Sequence, residues 1–142
     1  MNAPTFERER LIRFSDCDPA GIVFYPQYFV MFNGLVEDWF NDQLGIGYEA
    51  LVGQRRTGLP TVHLEADFRS VSRFGDRVRL ALGLDRLGRR SLTLALRCLG
   101  GDGATRMQMR QVLVTTSLNT HRAIDIPDDL RTALNTAESA IP

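Results

Sequence analysis

Two rhythms of apolar residues divide this chain. Between Pro26 and about Leu44, apolar side chains fall at Tyr28, Phe29, Met31, Phe32, Leu35, Val36, Trp39 and Phe40, mostly three or four apart. That spacing predicts a helix with a wide apolar stripe, interrupted by Asn33, Glu37 and Asp38. Pro26 suits the first helical position, and Gly45 and Gly47 supply the stop. From Thr61 the period becomes two. Val62, Leu64, Ala66 and Phe68 face one way; Thr61, His63, Glu65, Asp67 and Arg69 face the other, the cleanest strand pattern in the chain. After a turn at Gly75-Asp76, Val78, Leu80, Leu82 and Leu84 alternate with Arg79, Ala81 and Gly83. After Gly88-Arg89-Arg90, Leu92, Leu94, Leu96 and Cys98 share a face. Gly100-Gly101-Asp102-Gly103 reads as a hairpin loop. Met107 to Leu118 predicts the last strand, its irregular phase leaving room for a bulge. Ahead of the helix, Phe6 to Phe14 predicts a half-exposed strand with Phe6, Ile12 and Phe14 opposed to Arg8, Arg10 and Arg13, although Leu11 breaks the alternation. Residues 1–5 read as loose. Residues 46–60 read as a connection, with room for one helical turn at Tyr48–Val52. Pro127 with Asp128 and Asp129 opens a short C-terminal helix, negative at its start as the dipole favours.

The predicted order is strand, helix, then four strands joined by tight turns, and tight turns force antiparallel pairing. The fold class is therefore α+β. One five-stranded antiparallel sheet wraps around one long central helix, with a short C-terminal helix added: the hot-dog arrangement, as a single domain over residues 1–142. The outer sheet face, carrying Ala81, Leu99 and Leu113, is expected to be partly covered by another subunit. A chain of 142 residues needs neither disulfide nor metal to fold.

Composition narrows the chemistry. The 17 basic residues balance the 17 acidic ones, which argues against nucleic acid as a partner. Every basic residue is Arg, so lysine nucleophiles and Schiff bases are excluded, while planar cations suited to phosphates remain. Cys17 and Cys98 make no disulfide framework. No metal-ligand spacing is present, nor an apolar run long enough to span a membrane, nor a signal segment. The expected location is cytoplasmic.

One stretch concentrates the chemistry: Asp16-Cys17-Asp18-Pro19-Ala20-Gly21-Ile22-Val23-Phe24-Tyr25-Pro26. Carboxylates, a thiol, prolines and a glycine form a turn feeding a helix N-terminus, where unpaired backbone N–H groups can polarise a carbonyl. An Asp in such a turn also commonly caps a local N–H. Cys17 has no evident activating partner and reads as a small buried side chain. Asp16 reads as a hydrogen-bond acceptor of the turn. His63 and Glu65 share a strand face that either lines a pocket or meets solvent.

The stretch resembles the signature of the 4-hydroxybenzoyl-CoA thioesterase family, most closely its Pseudomonas-type branch. Gly58-Leu59-Pro60-Thr61-Val62, Arg89-Arg90-Ser91 and Arg122-Ala123-Ile124-Asp125-Ile126-Pro127 resemble further segments of that family, in the expected order. The resemblance implies that Asp18 is the catalytic carboxylate, as nucleophile or general base, and that the Tyr25 backbone N–H polarises the thioester carbonyl. It implies an acyl group held by Pro26, Asn33, Thr61 and His63, and coenzyme A held by Arg89, Arg90, Ser91 and Arg122. Coenzyme A is then part of the substrate, and no separate cofactor is implied. It also implies a homodimer as the minimal unit and a homotetramer as the usual one. Two departures stand out: Asn33 replaces an acidic residue of that branch, and Gly88 replaces the first basic residue of its turn. The expected activity is hydrolysis of an aromatic, 4-hydroxybenzoyl-CoA-like thioester to the free acid and CoA. A broad short-chain acyl-CoA thioesterase and a non-catalytic acyl-CoA binder are the alternatives. Hot-dog dehydratases use a His near the helix start, and none lies between Met1 and Val62.

Overall fold

The computed structural model describes residues 6–139, so the expectation for residues 1–5 lies outside it. Five strands form one antiparallel sheet: β1 (Phe6–Leu11), β4 (Arg77–Leu87), β5 (Ser91–Leu99), β6 (Thr105–Val114) and β3 (Thr61–Phe68), in that spatial order. β2 (Thr57–Gly58) and β7 (Thr116–Ser117) add a two-stranded clip that the sequence pattern did not suggest. α1 spans Tyr25–Asp38, and α2 spans Asp128–Ser139 with Asp128 and Asp129 in its first turn. The molecule has the expected α+β hot-dog fold. No helix among the described residues is long and apolar enough to cross a membrane.

The apolar stripe of α1 buries Tyr28, Met31, Phe32, Leu35 and Val36 against the sheet. The helix then widens into π turns over Trp39–Leu44. This keeps Trp39 and Phe40 in the core, with ring centroids 5.5 Å apart, and the helix stops at Gly45, whose φ of 70° is left-handed. The facing layer is built from alternate residues of the central strands: Leu80 and Leu82, Leu92, Leu94 and Leu96, Met107 and Met109. The turn expected at Tyr48 is helical on through Gln54, and it buries Leu51.

Three differences from the sequence expectations have local causes. β1 ends at Leu11 rather than Phe14, because the Ile12 N–H turns to the Asp76 carbonyl (2.8 Å) and a tight 3₁₀ turn follows at Phe14–Asp16. Phe14 is accordingly 75% exposed and rests against Phe74 at the surface. β3 is an edge strand, and its apolar face is largely uncovered, with Val62 60% and Phe68 50% exposed. Leu113, expected on the outer sheet face, lies in the helix-facing core; Ala81 and Leu99 are buried outside that cluster. The bulge of β6 is at Arg106, where Cys98 pairs with Met107 and Leu99 with Thr105. It lies ahead of the Met107–Leu118 stretch for which one was anticipated. Within that stretch Met107, Met109, Gln111 and Leu113 are buried in regular alternation up to the strand's end at Val114.

A second bulge has more bearing on the site. Thr61 pairs with Leu113 and His63 with Val112, so Val62 is the extra residue. Because side chains alternate with period two, an inserted residue reverses the phase of what precedes it. Thr61 thereby joins the helix-facing side, while His63, Glu65 and Asp67 keep to the outer face.

Candidate active site

The loop from Asp16 to Phe24 is a small closed hairpin. Cys17 and Val23 form an antiparallel bridge, the Asp18 N–H donates to the Ile22 carbonyl (3.0 Å), and the Phe24 N–H donates to the Asp16 carbonyl (3.0 Å). Gly21, with φ at 77°, makes the reversal possible. The loop is fixed to the sheet side by the Val23 N–H on the Ser72 carbonyl and the Phe74 N–H on the Gly21 carbonyl, both 2.9 Å.

Within it the two carboxylates differ. Asp16 is buried, accepting the Arg13 N–H at 2.9 Å and the Arg10 guanidinium at 3.0 Å; it holds the turn together, the expected acceptor role. Asp18 is half-buried. Its Oδ1 accepts the Ala20 N–H at 2.9 Å, and among the described residues nothing bonds Oδ2. One oxygen is thus anchored and the other is available. Cys17 is half-buried rather than buried, and its thiol donates to the Arg13 carbonyl at 3.4 Å. Burial, with the charges of Asp16 and Asp18 adding, pushes that thiol up from its ordinary pKa, the opposite of what a nucleophilic cysteine needs.

α1 begins at Tyr25, with Pro26 second. Among the described residues no acceptor faces the Tyr25 N–H, and Pro26 has none to offer. The hairpin therefore delivers a half-free carboxylate and an unpaired N–H at the positive end of a helix. The Tyr25 ring lies edge-on to Phe68 at 6.1 Å, and both line a cavity of about 290 Å³ with Tyr28, Val71 and Ser72. Behind it, Arg106 donates to Asp76 (2.7 Å) and Ser72 (3.4 Å). The Arg73 N–H and the Arg106 guanidinium hold the Asp76 carboxyl below its usual pKa.

A second cavity, of about 420 Å³, opens between the middle of α1 and the start of β3. Asn33 and Thr61 meet there, as two of the sequence candidates do. Three further polar side chains line it that were not among those candidates: Glu37, Tyr48 and Gln111. Gln111 is buried and donates from Nε2 to Thr61 Oγ1 at 2.7 Å. The available sequence signal for Glu37 was its spacing: it follows Asn33 by one helical turn, on one face. His63 is not with this group; the Val62 bulge parts it from Thr61, and it keeps to the outer face, where its Nε2 lies 3.1 Å from Glu65 Oε1.

The arginines at the far end do converge. The Thr115 N–H donates to the Arg90 carbonyl, the Ile124 N–H to Thr115, and the Ser117 N–H to Arg122, which brings the 89–91 turn beside the 122–126 stretch. Arg89 Nε (3.1 Å) and Arg90 Nε (2.8 Å) both donate to Asp125, whose carboxyl they hold below its usual pKa. Arg131 donates to the Gly88 carbonyl at 2.6 Å and the Arg89 carbonyl at 3.1 Å, which fixes the turn. Arg122 makes no ion pair among the described residues, and Ser91 is half-buried at the start of β5.

Comparisons with known proteins bear on the family and the fold. A 1,4-dihydroxy-2-naphthoyl-CoA hydrolase of Synechococcus sp. (strain CC9605) is 29% identical over 140 residues, 94% of this chain and 86% of that one. Two solved structures show the same fold. A 1,4-dihydroxy-2-naphthoyl-CoA thioesterase from Synechocystis superposes with a TM-score of 0.84 at 20% identity, covering 95% of this chain and 98% of its own. A Staphylococcus aureus protein in complex with CoA superposes with a TM-score of 0.88 at 18% identity, covering 100% and 89%. Residues 12–134, from the end of β1 into α2, match the thioesterase-like superfamily, and the chain belongs to it.

Proposed function

We propose that this protein hydrolyses an aromatic acyl-CoA thioester to the free acid and CoA. The observation that carries the reading is that one short loop leaves both Asp18 Oδ2 and the Tyr25 N–H at the start of α1 without a partner among the described residues. A thioester has a reactive carbonyl and a good leaving group, so positioning and oxyanion stabilisation supply most of what catalysis requires. Two routes use the same atoms. In one, Asp18 Oδ2 bonds to the carbonyl carbon, the carbon–sulfur bond breaks, CoA leaves as thiolate, and water hydrolyses the anhydride. In the other, Asp18 takes a proton from water, whose oxygen attacks the carbonyl and expels the thiolate. The Tyr25 N–H receives the developing oxyanion in both.

Arg89, Arg90, Ser91 and Arg122 are assigned to the nucleotide end of CoA, with Asp125 holding the Nε edges of the arginine pair so that the remaining N–H groups face outward. The naphthoyl-CoA specificity of the named relatives supports an aromatic acyl group, either bicyclic or 4-hydroxybenzoyl-like as in the Pseudomonas-type branch. A homodimer is proposed as the minimal unit, through the exposed edge of β3, with two dimers forming a tetramer. Antiparallel pairing of β3 with its own copy sets the Thr61 end of one strand beside the Phe68 end of the other. Since Phe68 touches Tyr25, the pocket of Asn33 and Thr61 then meets the helix start of the second copy.

The test is thiol release from benzoyl-, hydroxybenzoyl-, dihydroxynaphthoyl- and short straight-chain acyl-CoA, with wild type beside Asp18→Asn. Release from an aryl thioester that is abolished in the variant is expected. Equal release by both proteins would remove Asp18 from catalysis. Preference for the straight chains would favour the broad thioesterase, and binding without turnover would favour the non-catalytic reading.

A further inference from the structure

The cavity between α1 and β3 is more polar than an aryl ring alone requires. Asn33 and Glu37 from α1, Tyr48, and Thr61 from β3 all line it. Thr61 is held by Gln111, whose other amide atom, Oε1, is buried and has no partner. Burial keeps the Tyr48 phenol protonated, and the nearby charge of Glu37 acts in the same direction.

Glu37 is the one carboxylate among the residues lining this cavity, and among the described residues it forms no ion pair. It also borders a cleft with Arg8 and Arg10, but Asp42 engages Arg8 at 2.7 Å and Asp16 engages Arg10 at 3.0 Å. A carboxylate left unpaired on a cavity wall is a strong acceptor for a donor that enters the cavity. It lies twelve residues beyond Tyr25, about 18 Å along the helix, too far for an aryl group bonded to a carbonyl at its own Tyr25 N–H. In the dimer proposed above, paired through β3, a second copy would bring another helix start to this cavity.

We propose that Glu37 is a specificity residue: its carboxylate accepts a hydrogen bond from a hydroxyl on the aryl ring of the acyl group, and the substrate is a hydroxyaryl thioester. This rests on the aryl-CoA reading and refines it. Asn33, one turn back on the same face, and the protonated Tyr48 orient that hydroxyl. The apolar wall from Val36, Leu59 and Leu113 receives the ring.

The test is binding, which does not depend on turnover. Calorimetry would use phenacyl-CoA and its 2-, 3- and 4-hydroxy derivatives, thioethers that cannot be hydrolysed, against the full chain and the variants Glu37→Gln and Glu37→Ala. Glu37 is exposed on a helix, so both variants should fold. Wild type is expected to prefer one hydroxylated analogue over the parent by about tenfold or more, as expected for a site that hydrogen-bonds a hydroxyl. In both variants that preference should collapse while affinity for the parent changes little. A preference that survives in both variants, or is missing in wild type that binds the parent, overturns the role of Glu37 and leaves the aryl-CoA reading standing. Wild type that binds none of the four overturns both.

Discussion

Single residues in this chain act through their hydrogen bonds more than through their identity. Asp76 is the clearest case. It accepts the Arg73 N–H at 2.9 Å and the Arg106 guanidinium at 2.7 Å, and so ties the turn before β4 to the bulge in β6. Both bonds favour the ionised form, so its folded pKa lies below the unfolded value. The stabilisation is therefore complete above the unfolded carboxylate range and is lost as pH falls through the folded pKa. With the side chain 33% exposed, solvent screening reduces the effect, and Asp76→Asn should cost about 1 kcal/mol near neutrality. Urea melts at pH 7 and at pH 3 check this: the gap between wild type and variant should narrow at the lower pH. The two cysteines give a second check. Burial pushes the Cys98 thiol up to about 11, and the side chain is inaccessible. Iodoacetamide should label only Cys17 in the native chain, and slowly, and both cysteines once it is unfolded. Fast labelling of Cys98 would mean that the sheet opens far more readily than its packing implies.

At the scale of elements, most of the fold was legible because one helix and three strands carry strong periods. α1 and its glycine stop follow directly from Phe32, Leu35, Trp39 and Gly45. Phe32 is fully buried between helix and sheet, so Phe32→Ala should lower stability by about 3–5 kcal/mol, measurable by denaturant titration. What escaped the pattern was the effect of single inserted residues. Parity along Thr61–Phe68 grouped Thr61 with His63, but the bulge at Val62 separates them, and nothing in the local sequence marks that position. Phe14 read as an inward strand residue because the chain reversal at Ile12 depends on Asp76, more than sixty residues away. The loop from Asp16 to Pro26 was legible because its chemistry is local. The Asn33–Glu37 cavity was not, since Tyr48, Thr61 and Gln111 reach it from three separate stretches.

The whole molecule raises the question of what covers β3. An edge strand with Val62, Leu64 and Phe68 exposed is an open template for pairing, and the proposed occupant is a second copy, which would also complete a site. Val62→Lys with Leu64→Lys should leave a folded monomer by sedimentation, with turnover lost alongside. Complementation tests the shared site more sharply. Asp18→Asn removes the carboxylate from one copy's helix start. Asn33→Trp, at an exposed position, fills the cavity of the other. Each variant alone should be inactive. Unfolded together in equal amounts and refolded, half of the dimers would be mixed, and each of those would hold one site built entirely from intact halves. Activity should then return to about a quarter of the wild-type value, the figure that statistical mixing of a two-fold dimer gives. If Asp18 served the cavity of its own copy, mixing would restore nothing, because every site in every dimer would carry one of the two lesions. The recovered fraction thus decides whether the helix start of one copy acts on an acyl group held by the other.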